Sequence, residues 1–314
     1  MADPIHMTEP NSLDTGGPTD DCIQPYMIDK TGLHGRMVKL GPSVDAILSR
    51  HGYPDAVQYM LAEMLALCAG LAAALKFDGV FTLQTKGDGP VPMMVADVTS
   101  DGKMRGYAQI KGEVPPLHEA IAAPIPKLLG EGYMAFTVDQ GDKMERYQGI
   151  VALEGATVAE CVQRYFEQSD QFASAVNLSA GRRPDGTIGA AALLVQRLPE
   201  EGGDKSIGYA DQDAWQRAMV LLKSAKPEEM LDPDLIPNEL LFRLFHEDGV
   251  RVFPARAITE ECRCSREKIE NVLKSLEPGS MEDLKTDDGT YEVTCEFCSR
   301  TEVFTDADLG HTSA

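Results

Sequence analysis

The chain has 314 residues, 43% of them hydrophobic and 25% charged, which is too long for one small core and fits about two soluble, globular domains. Its 29 Lys and Arg against 50 Asp and Glu leave a formal net charge of -21. That balance repels phosphate backbones and argues against nucleic acid as a partner.

Residues 1–21, "MADPIHMTEPNSLDTGGPTDD", have neither the basic n-region nor the apolar h-region of a signal peptide and read as a disordered acidic tail. The most apolar run, "MLALCAGLAAAL" from Met64 to Leu75, falls short of the roughly 18 residues that span a bilayer. It is expected to be a buried helix, with no membrane partner. Without an export signal the seven cysteines are expected in the reducing cytoplasm, where paired thiols bind metal or answer oxidants more often than they form permanent disulfides.

Residues 22–198 read as an α+β body. Pro54 opens a helix in "YPDAVQYMLAEMLALCAGLAAALK", and the strand after it sets Phe81, Leu83 and Thr85 on one face against Val80, Thr82 and Gln84 on the other. Hairpins follow at Asp101-Gly102, within "GYMAFTVDQGDKMERYQGIVAL" and at Asp185-Gly186, with an amphipathic helix in "TVAECVQRYFEQSDQ". Many hairpins and few crossover helices predict largely antiparallel sheet. "GDG" at Gly87–Gly89 lacks the Lys and Ser/Thr of a phosphate loop and reads as a turn.

The Gly- and charge-rich "PEEGGDKSIG" marks a boundary, and residues 199–250 read as a helical linker of short helices separated by "KPEEMLDPDLIP". Its own core is expected to be thin. Trp215, with Leu221 and Leu222, is expected to pack within it. "NELLFRLF" is apolar on more than one helical face through Leu240, Leu241, Phe242, Leu244 and Phe245, more than a single buried stripe requires.

Residues 251–314 read as a small metal domain. Cys262 and Cys264 form one close pair, Cys295 and Cys298 another, and two such pairs brought together supply the four thiolates that a tetrahedral zinc favours. Ser265 is a candidate N-cap for "REKIENVLKSL", whose Ile269, Val272, Leu273 and Leu276 share a face. Asp288-Gly289 turns into a strand that carries the second pair, and "TEVFT" returns as its partner. So short a segment cannot fold firmly on apolar burial alone, so metal binding and folding are expected to be coupled. Zinc-bound thiolates also react with oxidants, and Arg263 lies between two of them. The spacing therefore permits either a permanent clip or a switch. An enzyme is not expected, because four cysteines fill the coordination sphere, no H-x-E occurs, and Thr294 rather than proline precedes Cys295. A C-x-x-C in a strand beside a second pair also argues against a thiol oxidoreductase. Cys68 and Cys161 read as buried core thiols, and Cys22 as an exposed residue at the tail's edge.

"CRCSRE" and "CEFC" at this separation resemble the redox switch of the heat shock protein 33 family. "ALKFDG", "QTKGDGP", "MRGYAQIKGE", "YQGIVALEG", "ECVQRYFEQSDQ" and "LLFRLFHEDGV" resemble that family's blocks in the same order, from about Leu33 to Phe304. The resemblance implies an ATP-independent holdase chaperone, inactive and monomeric when reduced, with one Zn2+ per chain on Cys262, Cys264, Cys295 and Cys298. It implies that oxidation pairs Cys262 with Cys264 and Cys295 with Cys298, releases the zinc, loosens the linker and exposes a surface for unfolding client proteins, the oxidised form being a homodimer. Leu240, Leu241, Phe242, Leu244 and Phe245 are candidates for that surface. Ser299 stands where such knuckles often carry glycine, which strains the turn if it needs a positive φ. A static zinc-ribbon module that binds a fixed partner shares every spacing argument and differs only in whether oxidation changes function.

Overall fold

Phe81, Leu83 and Thr85 are buried while their neighbours are half-exposed, as period-two alternation requires of a strand with one face on a core. The same alternation runs through Lys103–Gln109. The structure, a computed structural model, describes residues 5–7, 18–141, 146–168, 173–197, 209–276, 281 and 283–310, and they divide into two compact units, 1–260 and 261–314.

The first unit runs β1 (Ile5–Met7), β2 (Cys22–Ile28), β3 (Leu33–Leu40), α1 (Pro42–Leu48), α2 (Asp55–Ala72), β4 (Val80–Gly87), β5 (Met93–Thr99), β6 (Lys103–Gln109), α3 (Leu117–Ala120), β7 (Gly132–Asp139), β8 (Tyr147–Ala152) and α4 (Val158–Gln168). It continues through β9 (Ser174–Arg182), β10 (Ile188–Gln196), α5 (Tyr209–Ser224), α6 (Pro227–Leu231), α7 (Pro237–Phe245), β11 (Val250–Val252), β12 (Arg256–Ala257) and β13 (Thr259–Glu260). One sheet has the order β1-β11-β2-β3-β10-β9, with β12 also on β2, and the other β13-β6-β5-β4-β7-β8. Every pairing is antiparallel except the short β13–β6 pair. The α+β, antiparallel architecture expected from the hairpins is the one observed.

Helix α2 lies between the sheets, against β3, β9 and β10 on one side and β4, β5 and β6 on the other. It is long and apolar enough by composition to cross a membrane, but 78% of that stretch is buried inside the unit, as expected of a helix that is hydrophobic all round. Gly70 lets it approach β10, since a Cβ there would meet Leu194 at 2.5 Å. Strand β10 is buried at every position. Its Ala190, Ala192 and Leu194 face the core with α2, while Ala191, Leu193 and Val195 face outward into a second apolar cluster.

That second cluster is where the linker lies. Ala218 and Leu222 of α5, Met230 of α6, and Leu240, Leu241 and Phe245 of α7 cover Tyr26, Ile28, Leu33, Met37, Leu193 and Val195 of the first sheet. Trp215 packs against the same cluster. The linker helices thus have no separate thin core and borrow the outer face of a sheet.

Three further expectations about the first unit are corrected. The tail is not wholly unstructured: β1 pairs with β11, Asp20 makes a bidentate 2.7 Å ion pair with Arg183, and Asp21 accepts from the backbone amides of Gly41 and Ser43 at the start of α1; residues 8–17 lie outside the described residues. Cys22 is not exposed but fully buried in β2. Residues 251–260 do not open the metal domain, because β11, β12 and β13 pair with β2 and β6, and the second unit starts at Glu261.

The second unit contains α8 (Arg266–Lys274), β14 (Tyr291–Thr294) and β15 (Thr301–Phe304). Ser265 caps α8 by accepting from the Lys268 amide at 3.2 Å, which satisfies one of the helix's orphan donors. Leu273, Met281, Tyr291, Phe304 and Leu309 form its core, with Ile269 against it. The face drawn from spacing is narrower than expected, since Val272 is 60% and Leu276 37% exposed.

Candidate metal centre

Cys262 and Cys264 precede the capped start of α8, and Cys295 and Cys298 sit in the turn between β14 and β15. That turn is tight: the Cys295 amide donates to the Arg300 carbonyl at 2.9 Å and the Ser299 amide to the Cys295 carbonyl at 2.8 Å. Ser299 adopts φ +56°, the left-handed conformation that favours glycine. Arg266 fastens α8 to the hairpin by donating to the Val303 carbonyl at 2.9 Å and lying 4.2 Å over the Phe304 ring.

These elements bring all four sulfurs within 4.8 Å of one another. Two close approaches run between the pairs, Cys262 to Cys295 at 3.7 Å and Cys264 to Cys298 at 3.5 Å. A tetrahedron of thiolates around zinc, with Zn–S about 2.3 Å, has edges of about 3.8 Å. The donor set and its spacing therefore fit a four-coordinate soft metal ion with little movement. All four side chains are half-buried, and Lys268 Nζ donates to the Arg263 carbonyl at 2.9 Å between the first two ligands.

As free thiols Cys262, Cys264 and Cys298 hold their protons unequally. Burial raises Cys262, but the Cys264 backbone and the surrounding Cys264, Cys298 and Cys295 side chains outweigh it and bring the thiol down to about 7. Burial pushes Cys264 well up, reinforced by Cys298 and Cys262, and burial also raises Cys298. Of these three Cys262 is the first to ionise, and metal binding must displace protons from Cys264 and Cys298.

The remaining cysteines are unsuited to this chemistry. Burial pushes Cys22 up to about 12 and Cys161 up to about 11, and holds Cys68 well above the ordinary thiol value. Cys68 and Cys161 are buried core thiols as expected. Of the helix α7 candidates, Leu240, Leu241 and Phe245 are buried, and Phe242 and Leu244 are partly buried against the same cluster. Sequence reasoning did not single out the sheet residues they cover, although the unbroken apolar run Ile188–Val195 signals a strand buried on both faces and therefore a covering layer.

The fold and this site define a mixed α+β protein with a helical cover on one sheet and a separate unit built around four convergent thiols. The profile of the Hsp33 protein family matches residues 21–305, starting upstream of Leu33. The 33 kDa chaperonin of Caulobacter vibrioides (strain NA1000 / CB15N) is 38% identical over 289 residues, 90% of this chain and 94% of that protein. The 33 kDa chaperonin of Escherichia coli O17:K52:H18 (strain UMN026 / ExPEC) is 34% identical over 292 residues, 93% of this chain and 94% of the other. Among solved structures, the crystal structure of the 33 kDa chaperonin (heat shock protein 33 homolog) from Thermotoga maritima has a TM-score of 0.77 at 26% identity, covering 92% of this chain and 97% of that one. The chain belongs to the Hsp33 family. Its relatives are named as chaperonins, which places it among chaperones.

Proposed function

We propose that the chain is a redox-regulated, ATP-independent holdase of the cytoplasm that keeps unfolding proteins from aggregating. In the reduced, monomeric state Cys262, Cys264, Cys295 and Cys298 hold one zinc ion. Bound there, zinc supplies four bonds that tie α8 to the β14–β15 hairpin and keep the thiols ionised. Peroxide then joins Cys262 to Cys264 and Cys295 to Cys298; for each disulfide two thiolates give up two electrons, and one peroxide takes those electrons and two protons from solvent to become two waters. Each disulfide removes two of the four ligands, and the second unit loses the fastening that its small core cannot replace.

The observation that carries the reading is the covered sheet face. Helices α5 to α7 hide Tyr26, Ile28, Leu33, Met37, Leu193 and Val195, an apolar area of the kind that binds exposed hydrophobic segments when uncovered. With the switch unit unfolded the linker leaves the sheet, and both surfaces become available, the sheet face and the Leu240, Leu241, Phe242, Leu244 and Phe245 side of α7. Local release of a layer held by apolar contact costs less than global unfolding. Uncovered sheet also supplies a self-complementary surface for an oxidised homodimer. Nucleic acid and membrane have no part in this scheme.

The test is light scattering from a heat-unfolding client with the reduced, zinc-loaded protein or with protein treated with peroxide at elevated temperature. Suppression by the oxidised form alone is expected. Equal behaviour of the two forms would overturn the switch and favour a static zinc-binding module.

A further inference from the structure

Period two places Lys39 on the same face of β3 as Met37, and Asn177 on the same face of β9 as Ala175. Met37 and Ala175 belong to the apolar cluster under the linker, so both positions call for apolar residues. A polar side chain there breaks the local pattern, which natural sequences do chiefly where function requires it.

Both side chains are spent on linker carbonyls. Lys39, only 1% exposed, donates through Nζ to the carbonyl of Asp232 and, at 2.5 Å, to that of Leu235, in the turn between α6 and α7. Asn177 donates through Nδ2 to the carbonyls of Leu222 and Ala225, each at 3.0 Å, at the C-terminal end of α5. Carbonyls in a helix's last turn have no partner within the helix and must find one elsewhere. In this fold the sheet supplies it. A buried ammonium is likewise tolerable only where acceptors replace its hydration, and burial pulls Lys39 below the ordinary lysine value.

We propose that Lys39 and Asn177 form a two-point polar latch that fixes α5–α7 on the first sheet and sets how readily the linker leaves it. The latch differs from the apolar contacts around it in being directional: a linker shifted by an ångström or two keeps its burial but loses four hydrogen bonds. Lys39 and Asn177 are positioning residues. The latch stands on the hydrogen bonds alone, and only its bearing on client capture rests on the switch proposed above.

Amide hydrogen exchange of the full-length, reduced, metal-loaded protein tests it in Lys39→Met and, as a second variant should that one fail to fold, Asn177→Ala. Amides of α5 and α7 near Leu222 and Leu241 should exchange at least about tenfold faster in Lys39→Met and about fivefold faster in Asn177→Ala. Amides of β3 and β10 near Val38 and Leu193 should keep the wild-type rate. Unchanged or slower linker exchange, or equal acceleration in linker and sheet, would overturn the latch, the last because it would show general destabilisation. Faster linker exchange without client protection by the reduced variant would uphold the latch and count against the proposed client surface.

Discussion

Removing the metal while the thiols stay reduced should unfold residues 261–310 and leave the first unit intact. The second unit's core is five side chains, Leu273, Met281, Tyr291, Phe304 and Leu309, which at about 1.5–3 kcal/mol each contribute roughly 8–15 kcal/mol. That is before the larger entropic cost of ordering the segment. Structural zinc on cysteine ligands supplies roughly 10–16 kcal/mol of apparent free energy in comparable small domains, as much as the whole apolar core. The polar fastening is weak, since the Arg266 pairs with Glu302 and Asp308 sit on a side chain that is 45% exposed and water screens such pairs. A metal bound at this site would therefore decide whether the unit folds. Hydrogen exchange on the full chain, with and without a zinc chelator and with metal release verified, should show Tyr291–Phe304 losing protection while β10 keeps it. Cys264→Ser should reach the same state at lower chelator concentration. Protection of Tyr291–Phe304 that survives complete metal removal would refute the coupling.

Ser299→Gly should tighten metal binding about fivefold, because a left-handed φ costs a non-glycine residue about 1 kcal/mol; competition with a chromophoric chelator reads the change, and weaker binding would show that the turn is not strained. Glu63, half-buried on α2, has its carboxyl raised by burial from the ordinary 4.5 to about 7. The unfolded chain then ionises before the folded one, so stability falls as pH rises from about 4.5 to about 7 and the cost is complete above that. Glu63→Gln should match the wild type near pH 4.5 and exceed it by about 3 kcal/mol at pH 8, in denaturant titrations at the two values; an equal difference at both would remove the carboxyl as the cause. Leu241→Ser combined with Phe245→Ser should cut client protection by the oxidised protein at least in half, and full protection by the double variant would take α7 out of the client surface.

What the sequence made legible was local. The Asp101-Gly102 and Asp185-Gly186 hairpins, the α2 core helix and the Ser265 cap depend on residues within a few positions of one another, and all are present in the structure. The four ligand candidates stood out because thiols in close pairs are rare and their spacing is diagnostic, and their sulfurs converge in the structure. Long-range pairing was not legible. Ile5–Met7 finds its partner at Val250–Val252, and β2, with Cys22 opposite Lys39, is enclosed by β3 on one side and by β11 and β12 on the other. Nothing within either short segment announces the other. The α8 face failed for a different reason: spacing lists which residues could face a core, but a unit this small offers a core on one narrow side, which Ile269 and Leu273 fill. The placement of the linker on the sheet was foreshadowed only by β10, whose apolar run has no polar face.

That run has a further consequence. From Ile188 to Val195 β10 carries no charged or hydrogen-bonding side chain, so the uncovered outer side of this strand would sense greasiness and not sequence, and client choice along it would be set by which proteins are melting. Such a lane would also adhere to its own copies. The -21 net charge then acts as a colloidal brake, holding uncovered molecules apart over about 8 Å at physiological ionic strength. Salt, which leaves the thiol chemistry nearly untouched, would thereby tune how many copies and clients gather into one particle.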